Sequence, residues 1–330
     1  MQPDKEKYSG LILGAIAGDC LGIPYIYMKA DALFEIGRHL QWQIGMPGEC
    51  SHLMYAALEC IAKKGFKLAH IARAYWNWAQ TSMDMSYVMS ECFGHEPKSV
   101  TVLHEQAPKA DYGSLCSGLL LIRQIPLVCA GLAWEDDNLI QTVREECRLT
   151  HTNEECIEYA QLYALCIRDI LLGKSRLEIW DHLFAKVKTR EVYRTLLSSY
   201  YEKPSCDGPD YSHARITFGM AMYHFWHNTP VSCAIRSVVL AGGSTDVNAC
   251  ATGALCGAFQ GRQAIPESWR DIILYELEPP HTQMPSHAIH CIDKILACPA
   301  KADHPHTKLH SSHKIRDTQN KKCATYAQSA

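Results

Sequence analysis

The chain lacks a long uninterrupted apolar run. Its two most apolar stretches, Gly10–Met28 and Leu115–Trp134, are broken by Asp19 and by Arg123, Gln124 and Pro126. Neither supplies the ~20 consecutive apolar residues that a membrane-spanning helix needs. Residues 1–8 are polar and charged with no apolar core behind them, so no signal peptide is expected, and no Asn-x-Ser/Thr sequon occurs. An excess of basic charge is missing too. The 35 acidic residues outnumber the 32 basic ones for a net charge of −3, which argues against a nucleic-acid partner. Hydrophobic residues make up 47% of the chain, which excludes a disordered polymer. The expectation is a soluble cytoplasmic protein with no membrane or nucleic-acid partner.

Cysteine is plentiful, with 16 residues in 330, but no two form a Cys-x-x-Cys pair and the short spacings of a secreted disulfide framework are absent. Most cysteines, such as Cys156 and Cys166, sit inside apolar helical patterns, where a thiol behaves as a small hydrophobe. Reduced, buried thiols are therefore expected, with a structural zinc site as the alternative.

Strand-like alternation between turn signals is also lacking. Apolar residues instead recur at three- and four-residue steps, as in Cys156, Tyr159, Ala160, Tyr163, Cys166, Ile167 and Ile170. Asn153 with Glu154 and Glu155 marks the start of that helix, and Gly173 marks its end. Similar patterns cover 53–64, 71–80, 136–149, 176–187, 190–200, 215–226, 232–240, 248–260 and 288–297. The spacing predicts a single all-α domain over residues 1–298. Beyond it, residues 299–330 lose apolar periodicity and carry His304, His306, His310 and His313, the pattern of a basic, disordered tail.

Four segments could carry chemistry. Gly10–Gly22 is rich in small residues, with Gly14, Ala15, Ala17 and Gly18 allowing close approach of another helix; Asp19 reads as a polar residue near its end. Thr150-His151-Thr152-Asn153 reads as helix caps, with His151 alternatively facing a ligand. Arg123 lies in apolar surroundings, placed either to anchor an anion or to pair with an acid such as Asp246. Finally, Gly242-Gly243-Ser244-Thr245-Asp246-Val247-Asn248 opens a helix of small side chains, a start that can hold anions or, through carboxylates, Mg²⁺.

In order and spacing these blocks resemble the ADP-ribosylglycohydrolase family, an all-α fold shared with the J-class crystallins of jellyfish lenses. The resemblance runs from about Ser9 to Ile273 and is strongest over Gly14–Gly22, Leu149–Gly173 and Phe218–Trp269. Active members of that family hold two Mg²⁺ ions with a Thr-Asp-Asp-Thr turn after a glycine and an Asp-x-Asp-Thr turn after a later Gly-Gly. Here the early turn reads Gly48-Glu49-Cys50-Ser51-His52-Leu53: Ser51 keeps a hydroxyl, while His52 and Leu53 replace the aspartates. In the later turn Ser244 and Val247 replace an aspartate and the threonine, and Asp246 is kept.

One carboxylate of four cannot balance two Mg²⁺ ions, so the resemblance implies a family member without catalytic residues and without a cofactor, most like the lens crystallins. Ser51, His52 and Asp246 are then the remnant of the metal site. Thr150, His151, Gly242, Gly243 and Asn248 are the remnant of a ligand site, with ADP-ribose as the ligand it would keep. Self-association at high concentration suits the crystallin reading. The alternative is a hydrolase or an ADP-ribose-binding module with a rebuilt site, using Mg²⁺ if it still hydrolyses, or zinc or acid–base chemistry at His52 and Asp246.

Overall fold

The helix at Glu154–Leu171 forms for reasons its sequence announces. The Asn153 side chain caps it, accepting from the backbone N–H of Glu155 at 2.9 Å and of Cys156 at 3.2 Å. Glu154 and Glu155 sit at the positive end of the helix dipole, and Gly173 ends the segment at φ +83°. Every residue from Cys156 to Leu171 is buried. The polar members of the helix are answered by neighbours. Arg168 donates to the Trp134 carbonyl at 2.9 Å, and Glu158 accepts from the backbone N–H of Thr189 at 3.1 Å.

The structure, a computed structural model, describes residues 4–297 apart from 41, 83–84, 111–115, 207, 209 and 277–283. The 299–330 tail lies outside the described residues. Among them the regular elements are all helical, and the only β contact is an isolated bridge between Ser117 and His213. The expected helices appear at Glu49–Lys64, Leu68–Ala79, Asp136–Cys147, Arg176–Lys186, Arg190–Tyr201, Ala214–Trp226, Val231–Val239 and Thr245–Gln260.

The centre of the fold is an antiparallel pair, Lys5–Gly22 against Thr245–Gln260. Gly10 meets Gly257, Gly14 meets Gly253, Gly18 meets Ala249, and Gly22 meets Thr245 and Asp246; at each a Cβ would overlap the opposing backbone. Four-residue steps keep these positions on one face of each helix, so the two backbones touch along their whole length. Residues Tyr8–Gly22 are all buried, so this helix is enclosed rather than amphipathic. No single described helix is long and apolar enough to cross a membrane. The close approach has a positional consequence. It brings Asp19, near the end of one helix, against the first turns of the other.

Candidate functional site

Asp19 is the hub of the site, and sequence reasoning passed over it. Its Oδ2 accepts from the backbone N–H of Gly48 at 2.8 Å and of Ser51 at 3.1 Å. Gly48 is the cap residue of helix Glu49–Lys64 and has no side chain to offer, so Asp19 caps that helix from the helix beside it. The carboxylate is completely buried. Burial, reinforced by the nearby Asp246 carboxylate and opposed by hydrogen bonding from Ser51 and Gly48, pushes its pKa up to about 7.

One thiol joins Asp19 and Asp246, and a second lies against the first. Asp19, Cys50 and Asp246 each present a ligand-type atom, and these atoms lie within 4.8 Å of one another. Cys50 and Cys250 hydrogen-bond through their thiols, and that bond together with burial and the two carboxylates holds the Cys50 thiol well above its ordinary pKa. Cys250 follows Asp246 by four residues, so both stand on one face of their helix. The available signal was the location of Asp19, Cys50 and Cys250 inside or beside the motif blocks. Their residue types, read as a stray polar group and small hydrophobes, hid it.

The remnant metal residues separate. Ser51 and Asp246 both adjoin Asp19. His52 does not join the group that gathers Asp19, Cys50 and Asp246; it lines an open cleft of about 1040 Å³ with Gly48, Glu49, Tyr55, Arg73 and Trp78. Glu49 is held at that rim by Ser86, whose backbone N–H and hydroxyl donate to it at 3.1 and 2.9 Å. Leu53 is completely buried in the apolar core, and Val247 packs on the same core and lies close to Gly118. Neither offers a donor atom. The residues present do not fit two magnesium ions, which need several anionic oxygens and retain water.

The remnant ligand residues are buried and engaged. Gly242 and Gly243 adopt φ +78° and +73°, and their N–H groups donate to the carbonyls of Val239 and Met28, both at 3.1 Å. Those N–H groups are therefore spent on protein. Asn248 Oδ1 accepts from the Thr217 hydroxyl at 2.6 Å, and its Nδ2 faces Cys206 Sγ at 3.8 Å. Thr150 accepts from Arg123 and meets His151 Nδ1 at 2.8 Å.

Arg123 pairs with Glu146, not with Asp246. Its Nε donates to Glu146 Oε1 at 2.7 Å, and its Nη2 to the Glu146 carbonyl at 2.9 Å, both groups being fully buried. Tyr75 and Gln124 donate to the same carboxylate at 3.0 and 2.7 Å. No anion need be invoked, because Glu146 supplies the charge. The expectation of reduced thiols also needs correction: Cys116 and Cys156 form a disulfide, with a Cα–Cα distance of 5.6 Å and His213 beside it. The two residues are 40 apart in sequence and are brought together only by the fold. Of the other described cysteines, Cys233 alone is exposed.

Comparison with known proteins agrees with this architecture. A protein of Acanthamoeba polyphaga mimivirus named "Putative ADP-ribosyl glycohydrolase" is 24% identical over 299 residues, covering 80% of this chain and 89% of its own length. A solved structure described as an ADP-ribosylglycohydrolase-related protein complex superposes with a TM-score of 0.71 at 19% identity. It covers 89% of this chain and 98% of that one, which shows a shared fold. The family model for ADP-ribosylglycohydrolase matches residues 1–295. The chain belongs to the ADP-ribosylglycohydrolase family.

Proposed function

We propose that this chain keeps the family's fold and has lost its hydrolase chemistry, serving as a structural protein, a soluble cytoplasmic eye-lens crystallin of the J class. The observation that carries the reading is Leu53. Where the resemblance places a magnesium-binding aspartate, this chain puts a leucine with no exposed surface, packed in the core. Ser244 and Val247 support the same reading at the second turn, and Asp246 is left as one kept carboxylate of four. Without both ions nothing would neutralise charge building up on a departing ADP-ribosyl group.

A near-neutral net charge of −3 leaves little repulsion between copies of the chain, so at high concentration they would associate weakly with one another. Incubation with ADP-ribosyl-arginine and ADP-ribosyl-serine substrates, in Mg²⁺ and in EDTA, tests the loss of activity. The reading expects no release of ADP-ribose in either condition; EDTA-sensitive release overturns it. Calorimetry with ADP-ribose expects no heat of binding, and saturable binding would mark a binding module instead.

A further inference from the structure

Three helices bring the carboxylates of Asp19 and Asp246 and the thiol of Cys50 within 4.8 Å of one another, and a second thiol, Cys250, lies against Cys50. Asp19 comes from helix Lys5–Gly22, Cys50 from the first turn of Glu49–Lys64, and Asp246 and Cys250 from Thr245–Gln260. Asp19 has no exposed surface. Its Oδ2 is used by two N–H groups, while Oδ1 is buried near Gly48 and accepts no hydrogen bond of normal geometry. A second carboxylate, that of Asp246, presents an oxygen within 4.8 Å of it. Two acids side by side, one with no exposed surface and the other half-buried, call for a proton or a cation between them.

The donor chemistry says which cation. Oxygen-only sites suit magnesium and calcium, whereas a mixed set with two thiolates selects a softer ion. Asp19, Cys50 and Asp246 give three converging ligands, and Cys250, outside that group but in contact with Cys50, needs only to turn toward the same ion to close a tetrahedral shell. We propose that Asp19, Cys50, Asp246 and Cys250 form a structural site for a single zinc ion. The proposal rests on the reading that the family's two-magnesium set is gone, and it deepens that reading: the site has changed from a catalytic, oxygen-lined pair to a closed, sulfur-bearing anchor. The ion would tie the start of helix Glu49–Lys64 to the glycine-rich helix pair. Binding releases the two thiol protons, so affinity should fall as pH is lowered.

The test uses the full chain with His304, His306, His310 and His313 replaced by alanine, so that the tail cannot supply ligands. Fully reduced, metal-free protein is titrated with Co²⁺ as a spectroscopic probe and with Zn²⁺ against a chromophoric chelator. One ion per chain is expected, with a thiolate-to-cobalt absorption in the near ultraviolet. That band should be lost in Cys50→Ser and in Cys250→Ser. Asp19→Asn keeps an oxygen acceptor for Gly48 and Ser51 and so preserves the helix cap. It should weaken zinc binding by roughly tenfold or more, as even outer-shell losses do. A band that survives Cys50→Ser, or no stoichiometric ion in the parent protein, overturns the proposal. The outcomes are separable. Magnesium-dependent hydrolysis would sink the silent-scaffold reading and leave the cobalt band unexplained by it, whereas absence of the band would sink the zinc site alone.

Discussion

At the scale of single residues, Arg123 is among the largest side chains with no exposed surface in the described residues, and its partner Glu146 is equally buried. A buried pair of this kind is weak evidence of net stability, but removing one member strands the other charge. Glu146→Gln is therefore expected to cost about 3–5 kcal/mol in chemical denaturation, and a loss under about 1 kcal/mol would show that Arg123 finds another acceptor. His224 gives a pH dependence. Burial, the largest cause, with Lys203 and His227 nearby, lowers its pKa from 6.5 to about 4. The folded state thus resists protonation that the unfolded state accepts. Its contribution is present in full above pH 6.5 and is lost as pH falls from there toward 4. The loss amounts to at most about 3 kcal/mol. His224→Gln should flatten that part of the stability curve, and an unchanged slope between the two variants contradicts the assignment.

At the scale of elements, the glycine contact between Lys5–Gly22 and Thr245–Gln260 makes the sharpest demand. Gly14→Ala would drive a methyl group into the Gly253 carbonyl, and backbone cannot yield as a side chain can. A cost of about 3 kcal/mol or more is expected, at the upper end for overpacking; a neutral result would mean that the helices do not touch there. The disulfide makes a second demand. Closing 40 residues between Cys116 and Cys156 constrains the unfolded chain by about 4 kcal/mol on the chain-entropy account. Cys156→Ser and reductant should destabilise by similar amounts, and thiol titration of the unreduced, unfolded chain should find two fewer than the sixteen present in sequence. Sixteen titratable thiols would remove the bond from the account. Helices such as Glu154–Leu171 were legible because periodicity and caps are local signals. The small residues at Gly14 and Gly18 likewise announced a close neighbour. Which helix would fill that role, which acid would meet Arg123, and which two cysteines would pair were not legible, because each partner is fixed by packing between distant segments. The same reason hid the group at Asp19, Cys50 and Asp246, whereas the residue types at His52, Leu53, Ser244 and Val247, on which the proposed loss of the magnesium site rests, stand in the sequence itself.

At the scale of the whole molecule, the 299–330 segment has no apolar face in sequence with which to dock. A chain ending at Ala300 is expected to melt within a few degrees of the full one, and a larger drop would reveal a docked element. The central claim concerns what the fold now does without the family's ions. A ligand that binds only the folded state stabilises it by RT ln(1 + [L]/Kd), about 2.7 kcal/mol at one hundred times Kd, which raises the melting temperature of a domain of this size by several degrees. The most direct measurement is thermal unfolding of the full chain, freed of metal beforehand, with no divalent ion added and in millimolar Mg²⁺. The account predicts superimposable transitions, because it reads His52, Leu53, Ser244 and Val247 as standing where the family's ligands would be. A melting temperature raised by several degrees in Mg²⁺ would contradict it and restore a working two-magnesium site.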